Sequence, residues 1–137
     1  MYRYFIIAFI SIVVFLSGCA PIELARLLGV TVKPFRECET KYSQVFDYEY
    51  FKCFGKVIEA INDMEAEVLR KDVIEGFIIG VYFNSIYKYS NDTTEVAFFF
   101  MEAGEDKTTV DVVSFNYDLA EFVSRELAKH LNPKPDI

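Results

Sequence analysis

Residues 94–115, TEVAFFFM-EAGEDK-TTVDVVSF, decide the fold. Their two ends are rich in β-branched and aromatic residues, which favour strands. Between them, EAGED (102–106) combines glycine with polar residues, as turns do. The stretch therefore predicts two antiparallel strands, 94–101 and 108–115, joined by a short turn.

Two more strands are predicted before this pair. GFIIGVYF (76–83) is equally dense in β-branched and aromatic residues, and residues 64–70 lead into it through a turn at Lys71 and Asp72. Four consecutive strands with short connections predict an antiparallel meander.

A helix is predicted on each side of the meander. In residues 47–63, apolar residues recur at spacings of three and four, which is typical of one face of an amphipathic helix. A second helix begins near Asn116 or Asp118, either of which could cap it, and ends at Leu131. The predicted fold class is α+β, a four-stranded antiparallel sheet with an N-terminal and a C-terminal helix packed on one face. The apolar face of the first helix is Phe51, Phe54, Val57, Ile58 and Ile61.

The chain begins with a segment typical of protein targeting. The apolar stretch Phe5 to Leu16 would reach about 18 Å as a helix, short of the roughly 30 Å that spans a bilayer. This length indicates the hydrophobic part of a signal peptide. The stretch ends in Leu16-Ser17-Gly18-Cys19, which resembles the lipobox of bacterial lipoproteins.

The lipobox resemblance implies cleavage between Gly18 and Cys19 and attachment of acyl chains such as palmitate to Cys19. A cysteine suits this role because its thiolate is a strong nucleophile. The alternative is an uncleaved anchor helix with an incidental cysteine. Ala20, where some lipoproteins have aspartate, implies sorting to the outer membrane with the domain facing the periplasm. The predicted organisation is a signal peptide (1–18), a lipidated tether (19–44), an α+β domain (45–132) and a tail (133–137).

Composition argues against several functions. The chain has 14 Lys+Arg and 21 Asp+Glu, a net charge of −7, so we expect no nucleic-acid binding. The only histidine, His130, lies at the end of the last predicted helix, and no nucleophile, phosphate or metal motif accompanies it. We therefore expect no enzyme, no catalytic residue, no metal and no cofactor.

Two cysteines remain in the mature chain, Cys38 and Cys53. A disulfide between them would close a loop of about 15 residues and stabilise the fold by about 3 kcal/mol. The alternative is that Cys53 packs as a small apolar residue and Cys38 is a loop thiol.

Alternation along the strands predicts a second apolar face on the sheet. The helix-covered face takes Phe77, Ile79, Val81, Val96, Phe98, Phe100, Val110 and Val112, and the second face takes Ile78, Tyr82, Phe99, Met101, Val113 and Phe115. The second face needs a cover, which is the tether, a second copy of the chain or a partner. We expect a lipid-anchored, non-catalytic envelope module for protein interaction or structure, using this face or a tyrosine-rich loop, Tyr82, Tyr87 and Tyr89.

The order helix, four strands, helix in 45–131 resembles small bacterial lipoproteins of uncharacterised function. The matching pieces are 72–78, 96–100, 108–112 and 119–131. In outline the chain is also similar to the helix-grip domains of a β-barrel assembly lipoprotein. The resemblance implies a fold and no catalytic residue. It permits a second function, a periplasmic carrier of an apolar ligand between sheet and helix, although the bulky Phe98, Phe99 and Phe100 indicate that this space is filled.

Overall fold

A computed structural model of the chain describes residues 32–83 and 95–132. The predicted signal peptide, Cys19, most of the tether, Tyr87, Tyr89 and the tail lie outside these ranges. The chain divides into two compact units, Met1–Pro34 and Phe35–Ile137. Residues 35–44, which the sequence assigned to the tether, therefore belong to the second unit.

The second unit is built on one antiparallel sheet, which confirms the α+β class. The sheet has five strands rather than the predicted four, in the order β1-β5-β4-β3-β2. Within the described ranges, no helix is long and apolar enough to cross a membrane. The elements are α1 (Val32–Arg36), β1 (Tyr42–Phe46), α2 (Tyr50–Asp63), β2 (Glu67–Asp72), β3 (Phe77–Val81), β4 (Val96–Gly104), β5 (Lys107–Val113) and α3 (Tyr117–Leu131).

The strand missing from the prediction is β1. It pairs with β5, so that Tyr42 lies opposite Val112 and Phe46 lies opposite Thr108. Its sequence, YSQVF, is half polar and only five residues long. The partner strand lies about sixty residues further along the chain, so no local sequence pattern predicts the pairing.

Helix α2 carries the chain from one edge of the sheet to the other, because β1 and β2 are the two edge strands. Five strands span about 19 Å between the outermost axes. A helix of 14 residues is about 21 Å long. The length of α2 therefore matches the width that it has to cross.

Both long helices begin at a side-chain cap. The carboxylate of Glu49 accepts a hydrogen bond from the backbone N–H of Lys52 at 2.6 Å, so α2 begins at Tyr50 rather than at residue 47. The side chain of Asn116 accepts from the N–H of Leu119 at 3.1 Å, which selects Asn116 over Asp118 as the cap of α3.

The main core lies between the sheet and the two long helices. As predicted, Val96, Phe98, Phe100, Val110 and Val112 point into it. From α2 it receives Cys53, Phe54, Val57, Ala60 and Ile61. The expectation that Phe51 belongs to this apolar face is wrong, because its side chain is 63% exposed.

The predicted orientation of β3 is inverted. Ile78 is opposite Phe98 and joins the core under the helices, whereas Phe77 is opposite Phe99 on the second face. Every residue of β3 is buried. The strand therefore has no alternation of apolar and polar residues that could show which side faces the helices. Pairing with β4 fixes the orientation instead. Gly80 then lies on the helix-covered side, where the Phe83 ring occupies the space that a side chain would need.

Candidate functional site

The second face of the sheet is exposed at one end and buried at the other. At the exposed end, Val45, Thr109 and Met101 lie side by side on β1, β5 and β4. The side chains of Val45 and Met101 are 56% and 63% exposed. At the other end, Val113 and Ala97 lie opposite each other and are fully buried. Within strands β1, β4 and β5, the accessible apolar side chains of this face therefore lie at the end near Met101.

A carboxylate lies in the middle of this face. Asp111 on β5 accepts a hydrogen bond from the Ser43 hydroxyl, and the Lys41 ammonium is 3.5 Å from its other oxygen. The Asp111 side chain is only 13% exposed, whereas that of Lys41 is 55% exposed. Asp111 and Lys41 therefore place a pair of opposite charges beside the exposed apolar side chains of Val45 and Met101.

Phe35 and Arg36, which precede β1 in the chain, cover part of the second face. The rings of Phe35 and Phe115 stack with centroids 4.7 Å apart, and Phe35 is only 2% exposed. The Arg36 guanidinium lies 5.0 Å above the centre of the Phe99 ring and donates a hydrogen bond to the carbonyl of Glu75. This part of the predicted tether therefore does pack on the sheet, while Met101 stays uncovered.

A pocket opens between this short segment and the sheet. Its volume is about 240 Å³. Phe99, Met101 and Val113 contribute apolar surface, and Arg36 and Lys41 contribute cations. The pocket is large enough for one amino-acid side chain. Protein interfaces commonly have an apolar centre surrounded by a polar rim, and an apolar floor with charged groups around it fits this arrangement.

The structure brings together three of the six predicted second-face residues, since Phe99, Met101 and Val113 line this pocket. Phe115 is exposed beyond its contact with Phe35, and Tyr82 is exposed in a left-handed conformation, with φ of 64°. The prediction is wrong for Ile78, which lies in the core on the other side of the sheet because of the inverted β3.

Sequence reasoning missed the polar members of the site, Arg36, Lys41 and Asp111. Asp111 did carry a signal. It interrupts the apolar alternation of TTVDVV (108–113) at a position that faces away from the helices. Arg36 and Lys41 carried none, because the segment that contains them showed no regular pattern.

The possible disulfide is not formed, and Cys38 and Cys53 are both free thiols. Cys53 is in the core under the helices, whereas Cys38 lines the pocket on the second face, so the sheet lies between them. Burial raises the pKa of the Cys53 thiol to about 11, against a lowering contribution from a hydrogen bond with Thr108. Cys53 is therefore a protonated, packed side chain at neutral pH.

A second, acidic pocket of about 420 Å³ lies at the start of α2 and the end of β4. Glu49, Glu102 and Glu105 line it. Within residues 32–83 and 95–132, no three acidic, histidine or cysteine side chains are placed to hold a metal ion. Burial, followed by the charges of Glu102 and Asp72, raises the pKa of Tyr50 in this pocket. Its hydroxyl donates to the carbonyl of Val73 at 2.8 Å.

Aromatic side chains occupy the space between the sheet and the helices. The Phe54 and Phe100 rings are 4.8 Å apart, and the Phe83 and Phe98 rings are 6.4 Å apart. All four residues belong to one continuous buried cluster. The arrangement gives no support to a carrier that holds its ligand between sheet and helix.

Comparison with known proteins finds no matching family model, no matching curated protein and no matching solved structure.

Proposed function

We propose that this protein is a lipid-anchored, non-catalytic lipoprotein of the cell envelope, and that it works as a protein-interaction module through the second face of its sheet. Acyl chains on Cys19 hold it in the membrane, in the outer membrane facing the periplasm. Its partner there is an envelope protein that inserts an apolar side chain beside Met101.

One observation carries the interaction part of the proposal. Met101 and Val45 expose apolar side chains in one row of the sheet, next to a side-chain-sized pocket with charged groups at its border. The burial of Phe35 shows that this face accepts an aromatic side chain when one is supplied. A partner residue that packs beside Met101 would gain about 25 cal/mol for each Å² of apolar surface removed from water.

The anchoring part is supported by the lipobox, Leu16-Ser17-Gly18-Cys19, behind an apolar stretch too short to span a bilayer. Each buried methylene of an acyl chain contributes about 0.8 kcal/mol of membrane affinity. Two or more chains on one cysteine would therefore hold the domain permanently.

Cys19→Ser is expected to abolish lipid attachment, because the hydroxyl of serine does not replace the thiolate in thioether formation. The measurement is the intact mass of the protein extracted from cell membranes. The wild type should have the mass of residues 19–137 plus acyl chains. Cys38→Ser is the matched control and should keep the acyl mass. An unmodified full-length mass in the wild type would contradict the lipid anchor.

Met101→Ser is expected to remove the partner contact and to change the free energy of unfolding by less than about 0.5 kcal/mol, because the side chain is exposed. Contact is measured with a photoreactive amino acid at position 109, which lies opposite Met101 on β5, in the full chain in its native membrane. A discrete crosslinked adduct is expected when Met101 is present, and it should be lost in Met101→Ser.

Ile74 provides the control for this experiment, because it is 86% exposed and lies in the β2–β3 turn. The same photoreactive amino acid at position 74 should give no such adduct. Identical adducts from both positions would contradict a specific site. A loss of several kcal/mol in Met101→Ser would show that this end of the face is core.

A further inference from the structure

The two edges of the sheet differ in how they are protected against pairing. Four of the six residues of β2 are charged, and its pairing with β3 is irregular between Val68 and Arg70. Charges and bulges are the usual means by which an edge strand avoids pairing with another chain. The β2 edge is therefore closed to a further strand.

The β1 edge lacks all of these devices. Tyr42–Phe46 contains no charged residue and no proline, and its register against β5 is continuous from end to end. On its outer side, no strand among the described residues pairs with it. The side chain of Gln44 turns toward α3, where it donates to the carbonyl of Ser124 at 2.8 Å. Within the part of the chain that the structure describes, the outer edge of the β1 backbone is thus left open.

The sequence around this edge is complementary to itself. If two copies of β1 pair antiparallel about Gln44, Tyr42 lies opposite Phe46 and Ser43 lies opposite Val45. One position further out, Lys41 lies opposite Asp47, and this pair of opposite charges occurs twice. This register also pairs all five residues of the strand. Two-fold symmetric interfaces require such self-complementarity.

We infer that β1 is the dimerisation edge, and that two copies of this chain join their sheets through it into one ten-stranded sheet. The inference does not rest on the lipid anchor or on a partner for the second face.

The charges that would cross this interface are available. Lys41 and Asp47 contact Asp111 and Lys107 within their own chain, at 3.5 and 3.9 Å. The Asp47 side chain is 85% exposed and that of Lys41 is 55% exposed. The Lys107–Asp47 pair joins two exposed side chains and is weak. Asp111 is largely buried, but it keeps the hydrogen bond from the Ser43 hydroxyl when Lys41 turns away. Each side chain can therefore exchange its present contact for one across the interface.

The helices leave room for this arrangement. Antiparallel pairing about a two-fold axis places both copies of α3 on the same side of the joined sheet. Since α3 packs on both β1 and β5, it lies above the line between them. In the joined sheet, the line between β1 and β5 of one copy is about two strand spacings, roughly 10 Å, from the same line in the other copy. This is an ordinary distance between packed helices.

Charge reversal tests the inference, with sedimentation velocity of the detergent-extracted full chain over a wide concentration range. Wild type should sediment as a dimer. Lys41→Glu and Asp47→Lys should each weaken association by about tenfold, because each places two like-charge pairs in the interface. The double variant Lys41→Glu, Asp47→Lys should restore it.

The double variant is decisive because it restores opposite charges at positions 41 and 47 of the two copies. It restores neither of the ion pairs within the chain, which involve Asp111 and Lys107. Lys71→Glu, the same reversal at the β2 edge, is the control and should leave association unchanged. A wild type that stays monomeric at every concentration overturns the inference. A double variant that associates as weakly as the single variants overturns it too.

Discussion

Replacing Phe98 with alanine is expected to lower the free energy of unfolding by about 3–5 kcal/mol. Phe98 is fully buried on β4, the central strand of the sheet, with Ile78 opposite it on one side and Val112 on the other. Its ring also contacts that of Phe83. The variant loses the burial of the ring and leaves a cavity that a central strand cannot close. Urea unfolding followed by circular dichroism measures the loss.

Phe51→Ala is the matched control, since it deletes the same side chain from a position that is 63% exposed. The variant loses an edge contact with the Tyr50 ring, at 5.5 Å between centroids. The expected cost is less than about 1 kcal/mol. Equal losses in the two variants would contradict the assignment of the core to the side of the sheet under the helices.

The parts of the fold that sequence predicts are those where one side of an element is apolar and the other is not. Helix α3 and strand β5 show this contrast, and their buried sides follow the predicted pattern. Strand β3 shows none, because all five of its residues are buried. Its orientation depends on pairing with β4, which a local pattern does not contain.

The candidate site was only partly predictable for the same reason. Met101 and Phe99 follow from the alternation of β4, whose helix-covered side was assigned correctly. Phe35 and Arg36 belong to a segment that gains its place only by contact with Phe115 and Phe99. Such contacts join residues more than sixty positions apart, and a sequence pattern cannot report them.

Gly76→Ala is expected to lower the free energy of unfolding by about 2–4 kcal/mol. Gly76 ends the β2–β3 turn with φ of 75°, a conformation that costs a residue with a side chain about 1–2 kcal/mol. An added Cβ would also lie 2.7 Å from the Tyr50 hydroxyl oxygen and 2.9 Å from the Phe100 carbonyl oxygen. Making room for it displaces the Tyr50 hydroxyl from its hydrogen bond to Val73.

Thermal or urea unfolding of two further variants separates these causes. Tyr50→Phe in the Gly76→Ala background removes one of the two collisions, so the cost of the pair should be smaller than the sum of the single costs. Gly55→Ala is the control for the residue type, because nothing lies within 4 Å of its added Cβ inside α2. It should stabilise the protein by about 0.5–1 kcal/mol. If Gly76→Ala also stabilised the protein, the turn would not be docked between α2 and β4 as the structure shows, since only an open turn would tolerate the added carbon.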